Sequence, residues 1–219
     1  EDDGKTYVVS AMAGDVATTL ANLREDKAKQ ELLEHGFLLV GHSMGAKVAL
    51  ATIGWLNQDL QVLLKGLVLV APAPPTALHL PPEMKAQQLL AYESEDSVRW
   101  TVNNVLPNPA KLSQSDIDLV VRDSLVGHPF AKSAWPSYGV QEDISECVRD
   151  ALSSRPGLRA CVIVGELDVV ETEERVESEV VQFLRRNGAE VSLTVLERIK
   201  HLIPLEDPAS IYKEVARCW

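Results

Sequence analysis

The residues best suited to chemistry begin at Gly41, where the sequence reads GHSMG. A serine with one residue and then a glycine on each side matches the pattern G-x-S-x-G. In that pattern the chain turns sharply from a strand into a helix, so the serine backbone is strained and its hydroxyl is exposed. Side chains at Gly41 and Gly45 would collide with the neighbouring strand and helix. The pattern predicts Ser43 as a nucleophile; the structural alternative is a tight turn in a glycine-tolerant loop.

A serine hydroxyl is a weak nucleophile at neutral pH and needs a base that a third group orients. The motif places these partners later in the chain, in the order serine, acid, histidine. Two of the five histidines precede the serine, and two others lie in a central segment without strand-like runs. This leaves His201, in ERIKHLIPLEDP, as the candidate base. The alternative is a histidine on a surface loop.

The candidate acids lie in VIVGELDVV, just past an apolar run that is typical of a buried strand. We favour Asp168 as the orienting carboxylate and keep Glu166 as second choice. Either residue could instead be an acid at the N-terminus of the helix that follows.

Neighbouring residues complete the predicted site. Met44 follows the serine at the start of a helix, so its N–H would be one donor to an oxyanion. His42 would shape the floor of the substrate pocket or pack under it. Trp135 and Tyr138 would line an acyl pocket, although aromatic side chains more often pack in a core.

The elements around these residues predict an α/β fold with a mostly parallel sheet. Three apolar runs predict strands, namely GFLLV, GLVLVAP and RACVIVG, and EVSLTVLE is predicted as the last strand. Helical patterns separate these segments. Residues 11–35 predict one helix or two short ones that end at Gly36. TEERVESEVVQFLRRNG has acids near its start, arginines near its end and one valine-rich stripe, as an amphipathic helix has.

The pattern of apolar and polar residues changes in the middle of the chain. Residues 76–150 lack long apolar runs and carry amphipathic patches with helix-start signals, punctuated by prolines. We therefore predict a core built from residues 1–75 and 151–219, with a helical cap or lid insertion at residues 76–150.

These motifs together resemble the α/β-hydrolase superfamily over essentially the whole chain. The motifs that match the superfamily are GHSMG after GFLLV, then GLVLVAP, VGELD and IKHLIPLEDP. The chain looks most similar to esterases, lactonases and C–C bond hydrolases with a helical cap. The resemblance implies Ser43 as nucleophile, His201 as general base and then acid, Asp168 as orienter, acyl transfer to water through an acyl-enzyme, and no cofactor or metal.

The chain also departs from the superfamily pattern. Members carry several strands before the serine turn, and an early turn supplies a second oxyanion N–H. Here the residues ahead of Ser43 read as helix, so the N-terminal part of the sheet is expected to be missing. GFLLV would then be an exposed sheet edge, which favours association into a homo-oligomer. We expect the chain to be the C-terminal part of a longer protein or a shortened gene prediction.

Net charge and cysteine content limit the classes of partner and the compartment that are expected for this protein. The net charge of −11 argues against nucleic acid or an anionic membrane as a partner. Three widely spaced cysteines give neither a zinc pattern nor a disulfide framework and suit a reducing compartment, so a cytoplasmic location is expected.

Two functions from different classes therefore remain open. The first is a serine hydrolase acting on a small ester, thioester, lactone or β-diketone. The second is a truncated, non-catalytic relative that binds a ligand or a partner. Acyl transfer to an alcohol would use the same three residues as the hydrolase.

Overall fold

The computed structural model describes residues 5–219, so the first four residues of the predicted core segment lie outside the described residues. Four strands form one sheet in the order β1-β2-β3-β4, and all neighbouring pairs are parallel. The strands are β1 (Phe37–His42), β2 (Leu64–Val70), β3 (Arg159–Gly165) and β4 (Glu190–Leu196). The predicted α/β class with a parallel sheet is confirmed.

Helices precede β1, connect each pair of strands and follow β4, as parallel pairing requires of the connections. In chain order they are α1 (Val9–Glu25), α2 (Met44–Thr52), α3 (Gln58–Leu63), α4 (Pro82–Leu90), α5 (Glu95–Asn104), α6 (Gln114–Val126), α7 (Pro129–Ser137), α8 (Ser145–Ser153), α9 (Glu173–Arg175), α10 (Gln182–Arg186), α11 (Ile203–Glu206) and α12 (Pro208–Cys218). A π-helical stretch (Val176–Val181) joins α9 to α10, and 3-10 helices occupy Lys5–Tyr7, Gln30–Leu33, Pro109–Lys111 and Gly139–Gln141. Within residues 5–219, no helix is both long and apolar enough to cross a bilayer.

The helix predicted from TEERVESEVVQFLRRNG forms as α9, the π-helical stretch and α10. Its valine-rich stripe packs into the larger of the two cores described below, and Val176, Val180 and Leu184 are fully buried there. Gly188 ends the helix with φ +90°, a left-handed conformation that glycine adopts without strain. The stop signal in the sequence is thus the residue that the backbone needs.

The sheet has a packed core on each face. Leu39, Leu67 and Val162 belong to the larger core, together with residues of α1, α2, α8 and the α9–α10 helix. Val68 and Ile163 belong to the smaller core, together with α11 and α12. The alternation along each strand decides which residues belong to which face.

Strand β1 has only β2 as a neighbour among the described residues. A strand buried on both faces was expected, yet Val40 is 53% exposed, while Phe37 and Leu39 are buried. The residues ahead of β1 form helices instead of a strand, so they cover one face of the sheet and leave its edge open. The predicted absence of the N-terminal part of the sheet matches this arrangement.

The segment between β2 and β3 is helical throughout its regular structure. Helices α5 and α6 form a small core of their own around Val98, Val102 and Val121. Helix α8 behaves differently, because its Val148 and Leu152 lie in the larger core beneath the sheet. Helices α4–α7 are therefore the part of the segment with the least contact with the sheet.

A carboxylate from this segment anchors the start of α1. The two oxygens of Glu142 accept hydrogen bonds from the backbone N–H groups of Val9 at 2.6 Å and Ser10 at 2.9 Å. The preceding residue, Val8, has no side-chain cap to offer. The first N–H groups of a helix lack intrahelical acceptors, so Glu142 satisfies two of them and also places a negative charge at the positive end of α1.

Replacing Glu142 with alanine should lower the free energy of unfolding by about 1–2 kcal/mol, the cost of losing a charged helix cap. Urea denaturation followed by circular dichroism measures it. Glu25→Ala is the matched control, because it removes an exposed acid from the other end of the same helix. Equal effects of the two substitutions would contradict the capping role.

Candidate active site

Ser43 lies at the turn between β1 and α2, at the carboxyl end of the sheet. Its backbone has φ 55° and ψ −121°, which is a strained conformation for a residue with a side chain. A Cβ on Gly41 would lie 2.3 Å from the carbonyl oxygen of Gly45, so only glycine fits there. The sharp turn predicted from GHSMG is present, and it presents the serine hydroxyl at the rim of the sheet.

The second glycine of the motif has a different environment from the one expected. Apart from its chain neighbours and the backbone of its own helix, a Cβ built on Gly45 meets no atom of the described residues within 4 Å. The expected collision with a neighbouring strand does not occur, because β1 is at the sheet edge and has no strand on that side in residues 5–219. Gly45 is therefore not required by packing in this structure.

Three side chains that are far apart in sequence form a hydrogen-bonded chain at this rim. His201 Nε2 lies 2.9 Å from Ser43 Oγ, and His201 Nδ1 lies 2.7 Å from Asp168 Oδ2. A carboxylate only accepts, so Nδ1 carries the proton and Nε2 is free to accept from the serine hydroxyl. His201 and Asp168 are 3% and 4% exposed, which strengthens both hydrogen bonds by excluding water.

Asp168 divides its two oxygens between two tasks. Oδ2 contacts His201, while Oδ1 accepts from the backbone N–H groups of Val170 at 2.8 Å and Glu171 at 3.0 Å. The N-cap of the following helix is Thr172, so Asp168 is not the helix-capping acid that the sequence left open. The loop fixes the carboxylate in the direction of the imidazole.

Glu166, the second choice for the acid, faces elsewhere. Its Oε2 accepts from the backbone N–H of Arg198 at 2.8 Å, so it stabilises the turn after β4. Arg198 has φ 58°, a conformation that such a turn imposes. Glu166, in the loop after β3, therefore supports the loop after β4 that carries His201, called the histidine loop below, through its bond to Arg198.

The backbone of His201 is held from both sides. Its N–H donates to the carbonyl of Leu106 at 2.8 Å, and its carbonyl accepts from His42 Nε2 at 2.8 Å. The ring centroids of His42 and His201 are 5.0 Å apart. His42 was predicted at the pocket floor or beneath it; it lies against the imidazole and steadies the loop that carries it.

His42 is neutral at physiological pH. Burial first, and then the nearby His201, lower the pKa of His42 to about 4. Its Nε2 must then carry the single ring proton, because the partner is a carbonyl oxygen. A neutral donor adds no positive charge next to the imidazole that would have to accept the serine proton.

Two residues that the sequence did not single out also support the loop. A Cβ on Gly165 would lie 2.3 Å from the carbonyl oxygen of Lys200, so the loop crosses β3 at a point where only glycine fits. Glu206 is buried, and its Oε2 accepts from the N–H groups of Lys200 and Asn108, each at 3.0 Å. The glycine in VGELD was a usable signal. Glu206 had none, because nothing in the sequence indicates that its carboxylate is buried or that it binds the N–H of Asn108, 98 residues away.

Lys47 is a further buried charge near the serine turn. It lies one turn into α2 and is fully buried, and its Nζ donates to the carbonyl of Thr76 at 2.9 Å. Burial lowers the pKa of Lys47 to about 8, and the ammonium lies 6.0 Å from the centre of the Trp135 ring. Lys47 thus connects the helix after Ser43 to the central segment.

The two aromatic residues predicted for the pocket are both partly buried. Trp135 packs against the larger core and approaches Lys47. Tyr138 directly follows α7. Two surface cavities lie elsewhere: one is next to α1 and Trp55, and the other is next to Cys161 and Arg217.

Glu171 is a buried acid that the sequence did not single out. It is 2% exposed, and its backbone N–H donates to Asp168. Burial raises the pKa of Glu171 to about 8, although Arg175, with its guanidinium 3.5 Å away, opposes the shift. Between its ordinary value of 4.5 and about 8, the folded protein therefore holds a proton here that the unfolded chain has released.

Because the unfolded chain binds fewer protons in this window, stability should fall as the pH rises from 4.5 towards 8. Glu171→Gln removes the titration and should raise the free energy of unfolding at pH 8 relative to the unsubstituted protein by about 1–3 kcal/mol, with a smaller gain near pH 5. Urea denaturation across this range measures it. Glu173→Gln, at an exposed acid of α9, is the control. Parallel pH profiles for the Glu171→Gln variant and the unsubstituted protein would contradict the shift.

A parallel sheet with a strained serine turn, an acid and a histidine loop at the carboxyl ends of its strands defines an α/β-hydrolase. The sequence profile of the family described as serine aminopeptidase, S33, matches residues 3–208, and the chain belongs to this family. A search of curated proteins by sequence gave no match.

Solved structures share the fold at low sequence identity. A bromoperoxidase from Bacillus anthracis matches with a TM-score of 0.72 and 12% identity, over 99% of this chain and 75% of that one. An esterase from Exiguobacterium antarcticum matches with a TM-score of 0.69 and 16% identity, over 98% and 75%. Est816, an N-acyl homoserine lactone degrading enzyme, matches with a TM-score of 0.61 and 21% identity, over 99% and 76%.

Proposed function

We propose that this α/β-hydrolase is a serine hydrolase that cleaves a small ester, thioester, lactone or β-diketone through an acyl-enzyme. The observation that carries the proposal is the chain from Ser43 Oγ to His201 Nε2 at 2.9 Å and from His201 Nδ1 to Asp168 at 2.7 Å. A serine on a strained turn with an oriented imidazole in reach is the arrangement that nucleophilic acyl transfer needs.

The proposed reaction has two halves. Ser43 Oγ attacks the acyl carbon while His201 Nε2 takes the hydroxyl proton, and the carboxylate of Asp168 stabilises the imidazolium. The imidazolium then gives the proton to the leaving group, and the acyl group stays on the serine. Water attacks this ester by the same route and releases the acid. The N–H of Met44, the first residue of α2, would donate to the oxyanion, since it has no intrahelical acceptor.

Helices α4–α7 are proposed as the cap over this site. They connect to the histidine loop through Leu106 and Asn108, which bond to residues 198, 201 and 206. Trp135 and Tyr138, on and next to α7, are the proposed acyl-pocket residues. A cap that holds the histidine loop would couple substrate entry to the position of the base.

The described activities of two proteins with the same fold support the proposed substrate class. Among the matched structures, one protein is described as an esterase and another as a lactone-degrading enzyme. Both reactions transfer an acyl group from oxygen. The partly buried aromatic residues of the central segment suit an apolar acyl group better than a charged one.

A fluorophosphonate probe tests the proposal directly, because it reacts with activated serines. We expect stoichiometric labelling, mapped to Ser43 by mass spectrometry, together with turnover of at least one class in a panel of p-nitrophenyl esters, thioesters, lactones and β-diketones. Addition of a primary alcohol reports acyl transfer through formation of a new ester. Absence of both labelling and turnover in the folded protein would refute the proposal.

One observation favours a second candidate, a non-catalytic protein that binds a ligand or partner. The residues from Lys5 to Leu33 fold as helices, so in the described part of the chain no early strand and turn offers a second oxyanion N–H. Loss of one such donor costs about 100- to 1,000-fold in turnover. Ligand binding that survives both Ser43→Ala and His201→Ala, without any turnover, would favour this candidate.

A further inference from the structure

Two cysteines meet on the face of the sheet opposite the larger core. Cys161 lies in the middle of β3, and Cys218 is the last residue of α12, the helix that packs on this face. Cys161 pairs in register with Val68 of β2, and a Cβ on nearby Gly66 would lie 2.7 Å from the sulfur of Cys218. The absence of a side chain at Gly66 therefore makes the space that the Cys218 thiol occupies.

The two thiols belong to the same small core. Cys218 Sγ lies 3.4 Å from the carbonyl oxygen of Leu67, the β2 residue that pairs in register with Ala160, next to Cys161. The guanidinium of Arg217 approaches Cys161 Sγ to 4.0 Å and also contacts the Ser192 hydroxyl. The Cys161 thiol thus lies beside a cation and near a hydroxyl, whereas the Cys218 thiol is enclosed by the core.

The two thiols differ in their access to solvent. Cys161 is 5% exposed and lines a surface cavity of about 280 Å³ together with Arg159, Glu190, Ser192 and Arg217. Cys218 has no exposed surface. A small oxidant could therefore reach Cys161 from the cavity, whereas the Cys218 thiol has no surface open to it.

We propose that Cys161 and Cys218 form a reversible disulfide that fastens α12 to β3. Hydrogen peroxide first transfers one oxygen to the Cys161 sulfur, which becomes a sulfenic acid, and the O–O bond breaks to release one water. The Cys218 sulfur then attacks the sulfenic sulfur, the S–O bond breaks, and a second water departs. In total two thiols and one peroxide give one disulfide and two waters. A dithiol reductant reverses the bond by thiol–disulfide exchange.

The electrostatics of the pair agree with this order of events. Contact with the Cys218 thiol, together with Ser192 and Arg217, lowers the pKa of the Cys161 thiol against the opposing effect of burial. Contact with Cys161 and burial raise the pKa of the Cys218 thiol. The thiolate is the reactive form, so the more accessible sulfur is also the one that reacts first.

The third cysteine provides a matched control. Cys147 lies in α8, and its sulfur is 4.0 Å from the carbonyl oxygen of Ala51 in α2, on the opposite face of the sheet. It is partly exposed, but no other cysteine of the described residues shares that face. Its oxidation would give a sulfinic acid or a link between two molecules and not an internal bond.

Titration of the folded protein with hydrogen peroxide tests the proposal. We expect the intact mass to fall by about 2 Da, the two thiol hydrogens. Non-reducing peptide mapping should join the Cys161 and Cys218 peptides, and dithiothreitol should restore the starting mass. The closed loop should raise the apparent melting temperature by roughly 5 °C, reversibly.

Substitutions then assign the bond. Cys161→Ser and Cys218→Ser should each prevent the mass loss, whereas Cys147→Ser should retain it. Arg217→Gln should slow the reaction about threefold or more, because the thiolate loses its cation. A mass gain on Cys161 with Cys218 still free, or no reaction of the unsubstituted protein at either cysteine, would overturn the proposal even if a serine variant failed to fold.

Discussion

Replacing Ser43 with alanine should lower kcat/KM for the best ester substrate by about 10⁴-fold or more, the scale of effect known for the loss of a nucleophilic serine. The reason is geometric: Ser43 Oγ is the atom that His201 Nε2 contacts, at 2.9 Å. The Ser43→Ala variant has no hydroxyl at this position, so no nucleophile is left for the imidazole to deprotonate. Initial-rate kinetics on p-nitrophenyl esters measure the effect, and circular dichroism checks the fold.

Two further measurements make this result specific to Ser43. Ser153→Ala, at an exposed serine of α8, should leave the rate unchanged. Binding of a product acid, measured by calorimetry, should change little in Ser43→Ala, because the serine oxygen contributes to bond making more than to ground-state affinity. A residual rate within about tenfold of the unsubstituted protein would exclude Ser43 as the nucleophile.

The second large effect concerns the acid. Asp168→Asn should lower kcat by about 10³- to 10⁴-fold, because an amide in this position favours the wrong tautomer of the imidazole. Asp168 accepts from Nδ1 at 2.7 Å, which leaves Nε2 unprotonated next to the serine. An asparagine that turns its NH₂ group to Nδ1 would place the ring proton on Nε2. Single-turnover kinetics separate this loss of chemistry from any change in binding.

Glu166→Gln is the matched control, since both acids occur in the same short loop. The side-chain amide oxygen of this variant can still accept from the N–H of Arg198, so the loop should keep its shape and kcat should stay within about threefold. A large loss in Glu166→Gln together with a small loss in Asp168→Asn would reverse the assignment. The pair of variants therefore decides between the two candidates that the sequence offered.

Besides its proposed role as a cap, the central segment holds the histidine loop in place. Leu106 accepts from the N–H of His201, and Asn108 donates through its backbone to Glu206 and through its side chain to Arg198. These bonds tie the helical segment to the loop that carries the imidazole. Substitutions in residues 104–108 are therefore expected to affect the base through its backbone.

Local sequence determined much of this protein. The apolar runs predicted β1, β2 and β3, because a strand covered on both faces of a parallel sheet must be apolar along most of its length. EVSLTVLE was predicted as the last strand, and β4 forms there with no fully buried residue. GHSMG located the strained serine, because only glycine fits at position 41. The order of residues along the chain predicted His201 as the base and limited the acid to Asp168 or Glu166, because a fixed topology brings the carboxyl ends of β1, β3 and β4 to one rim.

Tertiary structure decided the rest, because the deciding partners are distant in sequence. Whether Asp168 or Glu166 faces the imidazole depends on the direction of each carboxylate in one loop, which composition does not encode. Glu142, Glu206 and Lys47 are ordinary charged residues in the sequence, and only packing gives them their backbone partners. The two cysteines of β3 and α12 are unrelated thiols in the sequence, and only the packing of these elements places them in the same small core. A side chain's chemistry is local, but its burial and its partner are set by the whole fold.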